Sequence, residues 1–344
     1  MTRQRWTSLL VFAITLAAGV YFFSRFAGSW SQLVGFAGRV TPPQWLAIAA
    51  GALTFYFCDY LRFYCLLRIF GIRLGVWPGI KLTCITYLVA DLTPNSELHF
   101  PFVVFLLARE GVPVPVAAAV SLTKSLAMML WVCALSYLSL QLNPDVALPA
   151  AVARHLPLYL TPLFSMATVL ALVIVAPNRA RGLCARVLAH PKLAGWLRKI
   201  VAGLDRTASA LATVGRSRHP MHLLCHLATL VAVAAYVSVG YVLCRSLQPD
   251  VSLGRAISAF TSGLFLGYTS PVPGSIGIGE GIESYLLDPA MQPGSMAVAV
   301  LHRMACWYSI WLRGNMAGKF SRAPRPRPAR QTVDSIWTGC LNRA

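Results

Sequence analysis

Charge is scarce in this sequence. Of the 344 residues only 12% are charged, which is roughly half of the share of about 25% that is usual in a soluble domain. Hydrophobic residues make up 57% of the chain, and they are gathered in runs of about 20 residues, the length that crosses a bilayer as a helix. A soluble enzyme of this length is excluded, because it would need a polar surface that this composition does not supply.

The signatures of common enzymes and metal sites are also missing. None of the nine cysteines belongs to a C-x-x-C pair, so neither a zinc ribbon nor a disulfide framework is indicated. No Walker loop, nucleophile elbow or catalytic histidine signature is present. Four potential metal ligands share one predicted helix face: His219, His222, Cys225 and His226. Because these four residues open an apolar run at the interface, where histidine is common, we expect no metal there. Since the sequence has none of the enzyme signatures named above, we also expect no cofactor and no catalytic residue.

Positive charge dominates what little charge there is. The net charge is +19, which in a soluble protein would suggest nucleic acid as a partner. Here most Lys and Arg residues lie in the segments between apolar runs, and an excess of Lys and Arg is typical of the cytoplasmic loops of membrane proteins. A basic membrane face also attracts anionic headgroups. We therefore expect membrane lipids, not nucleic acid, as partners.

Six uninterrupted apolar runs predict full membrane spans, and two interrupted runs predict broken helices. The six spans are expected at about 7–26, 44–67, 116–141, 156–176, 222–246 and 297–319, and the broken stretches at about 80–108 and 256–290. The first run resembles a signal peptide after two arginines, but it continues through Tyr21, Phe22 and Phe23 and more spans follow. An uncleaved first helix is therefore expected. The fold class is an all-α polytopic membrane bundle.

Proline and glycine interrupt both broken stretches. The expected turns are at Pro94 in the first, and at Pro271, Pro273, Gly274 and Gly277 in the second. These residues end helices, and irregular backbone at membrane depth is tolerated only where protein or water covers it. We predict two re-entrant helical hairpins. The alternative is two pairs of ordinary spans, each joined by an external loop.

The distribution of charge predicts the orientation. With a cytoplasmic N-terminus and hairpins that return to their own side, 21 of the 30 Lys and Arg residues face the cytoplasm and five face outward. This places both termini on the cytoplasmic side of a bacterial inner membrane. The order of span, span, hairpin and span occurs twice. Because each half has three full spans, the second half would be inverted, as in many transporters.

The chain divides into a membrane domain, residues 1–320, and a basic tail, residues 321–344. The tail is rich in Pro and Arg and is expected to be disordered. Within the membrane domain, the basic loop 177–220 carries apolar residues at helical spacing between Leu193 and Leu204. An amphipathic helix on the cytoplasmic surface is therefore expected there.

Ionisable residues inside the apolar and broken stretches are the candidate site. The acids are Asp59, Asp91, Glu97, Glu280 and Glu283, and the bases are Arg62, Lys124 and Arg303. Such groups are costly in a membrane and usually mark a pathway. Asp59 and Arg62 are three residues apart and are better explained as a local ion pair. For the others we predict one shared polar cavity that binds a substrate, and Arg62 is also a candidate substrate-binding residue.

Glu280 and Glu283 have two interpretations. They share a face at the predicted start of a half-helix, where the helix dipole favours negative charge. They are then either a simple helix start, or a site that exchanges protons or holds an amine-bearing headgroup.

The second broken stretch resembles a known family. Residues 271–280 read P-V-P-G-S-I-G-I-G-E, which is similar to the Pro-x-Pro-Gly-Gly-x-Gly-x-x-Glu stretch of the flippase-type transmembrane family. That family comprises the membrane domain of lysylphosphatidylglycerol synthases and stand-alone relatives. Ser275 stands where the family has its second glycine. Thr93-Pro94 followed by Glu97, and the basic residues Arg62 and Arg303, are similar too.

The resemblance implies lipid translocation. We expect a flippase-like transporter that moves a polar-headgroup lipid between leaflets. An alternative is an integral-membrane enzyme on a lipid-linked substrate, with Glu280 or Glu97 as general base. A further alternative is a non-catalytic partner of a membrane lipid synthase.

Overall fold

Every regular element of the described residues is helical. The computed structural model describes residues 30–92, 99–175, 195–270, 275, 277–291 and 294–308. The helices are α1 (Trp30–Ala37), α2 (Pro42–Ile69), α3 (Val76–Leu92), α4 (Phe100–Arg109), α5 (Val114–Leu142), α6 (Ala150–Val175), α7 (Gly195–Arg216), α8 (Met221–Leu247), α9 (Leu253–Thr269), α10 (Ile278–Met291) and α11 (Ser295–Arg303). A π-helical segment, Met304–Tyr308, continues α11. The predicted all-α membrane bundle is confirmed.

Local signals explain where α2 begins and ends. The backbone N–H of Thr41 donates to the Gln44 side chain at 2.8 Å, which completes a capping box. Pro42 and Pro43 occupy the first turn, where no backbone donor is needed. Gly71, with φ +72°, takes the left-handed conformation that commonly ends a helix.

Three described helices are long and apolar enough to cross a membrane. They are α2, α5 and α8, with 28, 29 and 27 residues, and each covers one predicted span. The 26-residue α6 covers a fourth. Of the last predicted span the structure describes α11 and the π segment. The first predicted span, residues 7–26, and the basic tail lie outside the described residues.

Both stretches predicted to be broken are divided into short helices. The first contains α3 and α4, of 17 and 10 residues, and the second contains α9 and α10, of 17 and 14 residues. At 1.5 Å per residue these helices are about 15 to 26 Å long, shorter than the roughly 30 Å hydrocarbon core. In each pair the two helices pack against each other.

The predicted turn residues are only partly described. Pro94, Pro271, Pro273 and Gly274 lie outside the described residues, whereas Gly277 has φ +86°, a left-handed conformation that favours glycine.

The packing of one half corresponds to the packing of the other. Helices α2 and α8 form the most extensive interhelical contact, and four further kinds of contact occur as equivalent pairs, whereas the extensive α5–α9 contact has no counterpart of similar extent. The contact of α2 with α3 corresponds to that of α8 with α9, and the contact of α4 with α5 corresponds to that of α10 with α11. In the same way, α2–α5 corresponds to α8–α11, and α1–α11 corresponds to α7–α5. This is the pattern that a repeat of α1–α5 and α7–α11 would produce. The inverted orientation of the halves stays a prediction.

The helix predicted in the basic loop is longer and more buried than expected. It runs from Gly195 to Arg216, and Ala210 and Leu211 pack with Ala119 of α5 in one apolar cluster. Small side chains on both helices allow this close approach. The C-terminal half of α7 is therefore part of the bundle and does not lie on its surface.

Candidate functional site

Two clusters of buried charges lie inside the bundle. The first, the Asp59 cluster, consists of Asp59, Arg62 and Lys124. Arg62 Nη1 and Lys124 Nζ lie 2.8 Å from different oxygens of the Asp59 carboxylate. Arg62 also donates to the backbone carbonyl of Lys124. The cluster therefore joins α2 to α5 by charge-assisted hydrogen bonds.

The Asp59 cluster is almost fully excluded from the surface. Asp59 and Arg62 are each 1% exposed and Lys124 is 8% exposed, and the Lys124 ammonium lies 4.1 Å from the centroid of the Phe63 ring. Such burial would be unfavourable for isolated ions and is possible because the charges pair.

Several donors around this cluster make no hydrogen bond with any described residue. They are Arg62 Nε and the hydroxyls of Ser121 and Thr123, the latter two within three residues of Lys124 on α5. Buried polar groups are usually satisfied. Arg62 Nε, which belongs to the cluster, is therefore suited to a polar ligand.

The second cluster, the Glu283 cluster, consists of Glu280, Glu283, His302 and Arg303. It lies where α10 and α11 follow the second break. Arg303 Nε lies 3.3 Å from Glu280 Oε1, and the backbone N–H of Gly277 donates to Glu280 Oε2 at 2.9 Å. Glu280 is thus held both by a cation and by the start of its own helix.

Glu283 and His302 are linked through one tyrosine of α8. The Tyr236 hydroxyl donates to Glu283 Oε1 at 3.0 Å, and His302 Nδ1 lies 3.3 Å from Glu283 Oε2. His302 Nε2 lies 3.0 Å from the backbone carbonyl of Tyr236. The three residues close a ring of polar contacts between α8, α10 and α11.

Glycines leave the space that these side chains occupy. A Cβ placed on Gly263 of α9 would lie 2.5 Å from Glu283 Cγ, and one on Gly279 would lie 3.3 Å from Arg303 Nη1. Arg303 Nη1 also donates to the hydroxyl of Ser275, at 3.2 Å. Ser275 replaces a glycine of the family motif and has φ +52°, a left-handed conformation. The Ser275 side chain, which the family motif lacks at this position, therefore contacts Arg303 of the Glu283 cluster.

Aromatic rings lie between the two clusters. Phe55 is 5.6 Å from Tyr87 and 5.9 Å from Tyr236, measured between ring centroids. Tyr87 is within electrostatic range of Asp59 and Arg62, whereas Tyr236 contacts the Glu283 cluster. The three rings therefore lie in a row between the two clusters.

A π-helical segment begins directly after Arg303. It spans Met304–Tyr308, and the Tyr56 hydroxyl of α2 donates to the backbone carbonyl of Cys306. Such segments often occur at functional sites because they change the register of the helix. Here the segment also ties α2 to the end of α11.

The predicted site residues are distributed as follows. Lys124 and Arg62 lie in the Asp59 cluster, and Glu280, Glu283 and Arg303 lie in the Glu283 cluster. Asp91 lies in the last turn of α3, where the structure describes its backbone only, and Glu97 lies outside the described residues. The single cavity predicted for all of them stays a prediction.

Two of the four potential metal ligands near the start of α8, His222 and His226, make other contacts. His226 Nδ1 accepts a hydrogen bond from Trp131 at 3.0 Å, and His222 Nε2 lies 2.6 Å from the carbonyl of Val214. Among the residues that the structure describes, no group of three His, Cys, Asp or Glu side chains is arranged to hold a metal.

The sequence as a whole matches one family model. The model is described as the lysylphosphatidylglycerol synthase TM region and it matches residues 6–314. The chain belongs to this family. It is therefore a multi-pass membrane protein of a family connected with lipid synthesis or flipping, and the resemblance seen in residues 271–280 is confirmed. No curated protein matches the chain. Residues 6–314 include both charge clusters and all of the described helices.

Two residues of these clusters were not predicted as site residues. Asp59 was assigned to a local pair with Arg62, although it also binds Lys124. The sequence pattern did not predict a role for His302, whose side chain is completely buried in the structure. A histidine inside an apolar run, next to Arg303, was the available signal, because ionisable groups at that depth are rare.

Proposed function

We propose that this protein moves a polar-headgroup lipid between the leaflets of a bacterial inner membrane. The observation that carries the proposal is the gathering of buried charges of both signs in two clusters inside the bundle, one of which lies next to a helix break. Charges that faced lipid would each be unfavourable, whereas charges around a polar passage can pair with one another and with a headgroup. Family membership supports a lipid as the substrate.

The two clusters offer complementary contacts to a headgroup. The Asp59 cluster has two cationic side chains and one carboxylate, with unsatisfied donors on Arg62, Ser121 and Thr123. These groups suit a phosphate. The two carboxylates of the Glu283 cluster are paired with Arg303 and with His302, and they would contact the positive part of a headgroup when these pairs open. The acyl chains would remain in the bilayer, so the passage should open sideways to lipid.

A transport assay with matched variants tests the proposal. Purified protein would be reconstituted into vesicles with fluorescent phosphatidylglycerol or fluorescent phosphatidylethanolamine, and leaflet exchange followed by dithionite quenching. Glu280→Gln and Lys124→Met remove one charge from each cluster with little change in shape, and each is expected to slow exchange at least tenfold. Glu110→Gln, an exposed carboxylate at the end of α4, is the control and should exchange lipid at the wild-type rate.

Other outcomes would decide against the proposal. If both variants fold and exchange lipid at the wild-type rate, the clusters are not the passage. If the wild-type protein exchanges no lipid but forms a new covalent lipid product, the enzyme interpretation replaces transport. If it does neither alone, the role of a partner for a membrane synthase takes precedence.

Both termini on the cytoplasmic side are part of this proposal. Arg218 and Asp250 are exposed residues beyond the two ends of α8. An impermeant thiol reagent added to intact cells should label Asp250→Cys and should fail to label Arg218→Cys. The reverse result would invert the orientation.

A further inference from the structure

The contacts of His302 restrict where its protons can be. Its Nε2 atom faces the backbone carbonyl of Tyr236 at 3.0 Å, and a carbonyl oxygen only accepts hydrogen bonds. Nε2 therefore carries a hydrogen. The second ring nitrogen, Nδ1, faces Glu283 Oε2 at 3.3 Å.

One further proton must lie between His302 and Glu283. Without it, a lone pair of Nδ1 would face a lone pair of the carboxylate in a site where the two side chains are 0% and 4% exposed. With it, the pair is electrically neutral, whether the proton is bound to the imidazole or to the carboxyl group. Burial strongly favours the neutral pair.

Apart from the Cys306 thiol, which hydrogen-bonds the His302 side chain, the neighbouring groups do not supply this proton. The ionisable groups around the pair are Tyr236 and Cys244 of α8, Glu280 of α10, Arg303 of α11 and Cys306 of the π segment. Glu280 and Arg303 pair with each other, and the Tyr236 hydroxyl already donates its hydrogen to Glu283. From α9 the pair meets the ring of Phe260 and the backbone at Gly263, neither of which is ionisable.

Loss of the proton would also loosen the packing of three helices. Tyr236 of α8 holds Glu283 through its hydroxyl and His302 through its carbonyl. If the proton leaves, Nδ1 and Oε2 become two facing acceptors that repel each other, so the two side chains that Tyr236 holds are pushed apart. One polar link between α10 and α11 is then lost, while the Arg303–Glu280 pair remains. Protonation is therefore tied to the contact of α8 with the helices that follow the second break.

We propose that the Glu283–His302 pair is a proton-binding site that couples lipid movement to a pH difference across the membrane. The inference rests on the proposed transport function. When the site is closed, the proton lies between Nδ1 and Oε2. When α8 separates from α10 and α11, the proton passes to water on the side to which the site is then open, and a proton from the other side replaces it later in the cycle.

The first test is transport under an imposed pH difference. Vesicles with fluorescent phosphatidylethanolamine, and separate vesicles with fluorescent phosphatidylglycerol, would carry a difference of one pH unit. If one proton moves with each lipid, the leaflet ratio should shift by up to about tenfold, and a protonophore should abolish the shift. Any exchange that remains in Glu283→Gln or His302→Gln should be independent of the pH difference. The Glu110→Gln protein should respond as the wild type does.

The second test measures the proton without transport. Solid-state NMR of protein labelled with ¹⁵N-histidine, in lipid, reports the protonation of each ring nitrogen. The protein has seven histidines, and the signals lost in His302→Gln identify His302. We expect Nε2 to stay protonated across the pH range. The Nδ1 signal reports a proton that is bound to Nδ1 or donated to it by the Glu283 carboxyl group, and its pH dependence should differ between Glu283→Gln and the wild type. His219→Gln, which changes an exposed histidine, should leave these signals unchanged.

The two tests separate the inference from the function on which it rests. Lipid exchange that ignores the pH difference in the wild-type protein would overturn the proton coupling and leave transport intact. If no lipid moves, transport fails, and the NMR titration then decides whether the pair binds a proton. A His302 signal that is unaffected by Glu283→Gln would overturn the shared site.

Discussion

The two buried charge clusters differ in what can change within them. In the Asp59 cluster the carboxylate is held by an arginine and a lysine from two long helices, α2 and α5. In the Glu283 cluster one carboxylate is held by an arginine and the other faces a histidine, on helices that follow a break. Arginine stays charged at physiological pH, whereas histidine changes its charge in the range of pH 5 to 8 when it is unperturbed.

This difference indicates a division of roles. The Asp59 cluster pairs its carboxylate with two cations and joins helices long enough to span the membrane, so it suits a permanent part of the bundle. The Glu283 cluster can gain or lose a proton and lies beside left-handed backbone at Ser275 and Gly277. It suits the part of the protein that moves.

The largest expected effect comes from removing the carboxylate of the Asp59 cluster. Asp59→Leu leaves Arg62 and Lys124 buried without their acid, and loss of one partner of a buried ion pair costs about 3 to 5 kcal/mol. We expect a large loss of folded protein, measured by monodispersity and thermal unfolding in detergent. Glu283→Gln should lower the free energy of unfolding much less, because His302 can release its proton and remain neutral.

Replacing the whole Asp59 cluster provides a control. The triple variant Asp59→Leu, Arg62→Met and Lys124→Met removes all three charges and should be much more stable than Asp59→Leu alone. If Glu283→Gln destabilises the protein as much as Asp59→Leu does, the distinction between a fixed and an adjustable cluster is wrong.

A smaller effect is expected from filling the space beside Glu283. The methyl group of Gly263→Ala would lie 2.5 Å from Glu283 Cγ, and overpacking of this kind costs about 1 to 3 kcal/mol. Gly281→Ala is the matched control, because a Cβ there meets no atom within 4 Å and alanine favours a helix by about 0.5 to 1 kcal/mol.

The comparison of these two alanine variants uses unfolding and transport together. Gly263→Ala should lower both the unfolding temperature and the transport rate. Gly281→Ala should raise the unfolding temperature or leave it unchanged. Equal behaviour of the two variants would show that the position of Glu283 does not depend on Gly263.

The smallest effect is expected for a neutral contact. The hydroxyls of Ser136 on α5 and Ser262 on α9 lie 2.8 Å apart, and hydrogen bonds between membrane helices are worth about 0.6 kcal/mol on average. A double-mutant cycle with Ser136→Ala and Ser262→Ala should give a coupling free energy near that value. A coupling above about 2 kcal/mol would mean that this contact between neutral groups is as important as the ionic ones.

Much of the fold was predictable because membrane helices have strong sequence signals. The runs at 44–67, 116–141 and 222–246 each lie within a helix that extends one to two residues further at either end. Proline and glycine indicated correctly that 80–108 and 256–290 are divided into shorter helices. Hydrophobic length and helix-breaking residues act locally, so a single sequence is enough to show them.

The partners within the site depend on contacts between distant residues and were harder to predict. The Asp59–Arg62 pair is three residues apart and was expected, but Lys124 reaches it from another helix. Glu283 and His302 are on different helices, and Tyr236 joins them from a third. Which apolar faces pack together decides these pairings, and hydrophobic periodicity along one chain does not specify that choice.

Tyr236 has a consequence for mutational scanning of this protein. Tyr236→Phe deletes the hydroxyl contact with Glu283, but every substitution at this position keeps the backbone carbonyl that accepts from His302. A survey of single substitutions would therefore measure one of the two connections and would underestimate the contribution of α8. Replacing the amide bond that contains this carbonyl with an ester, which makes the carbonyl a weaker acceptor, would measure the other.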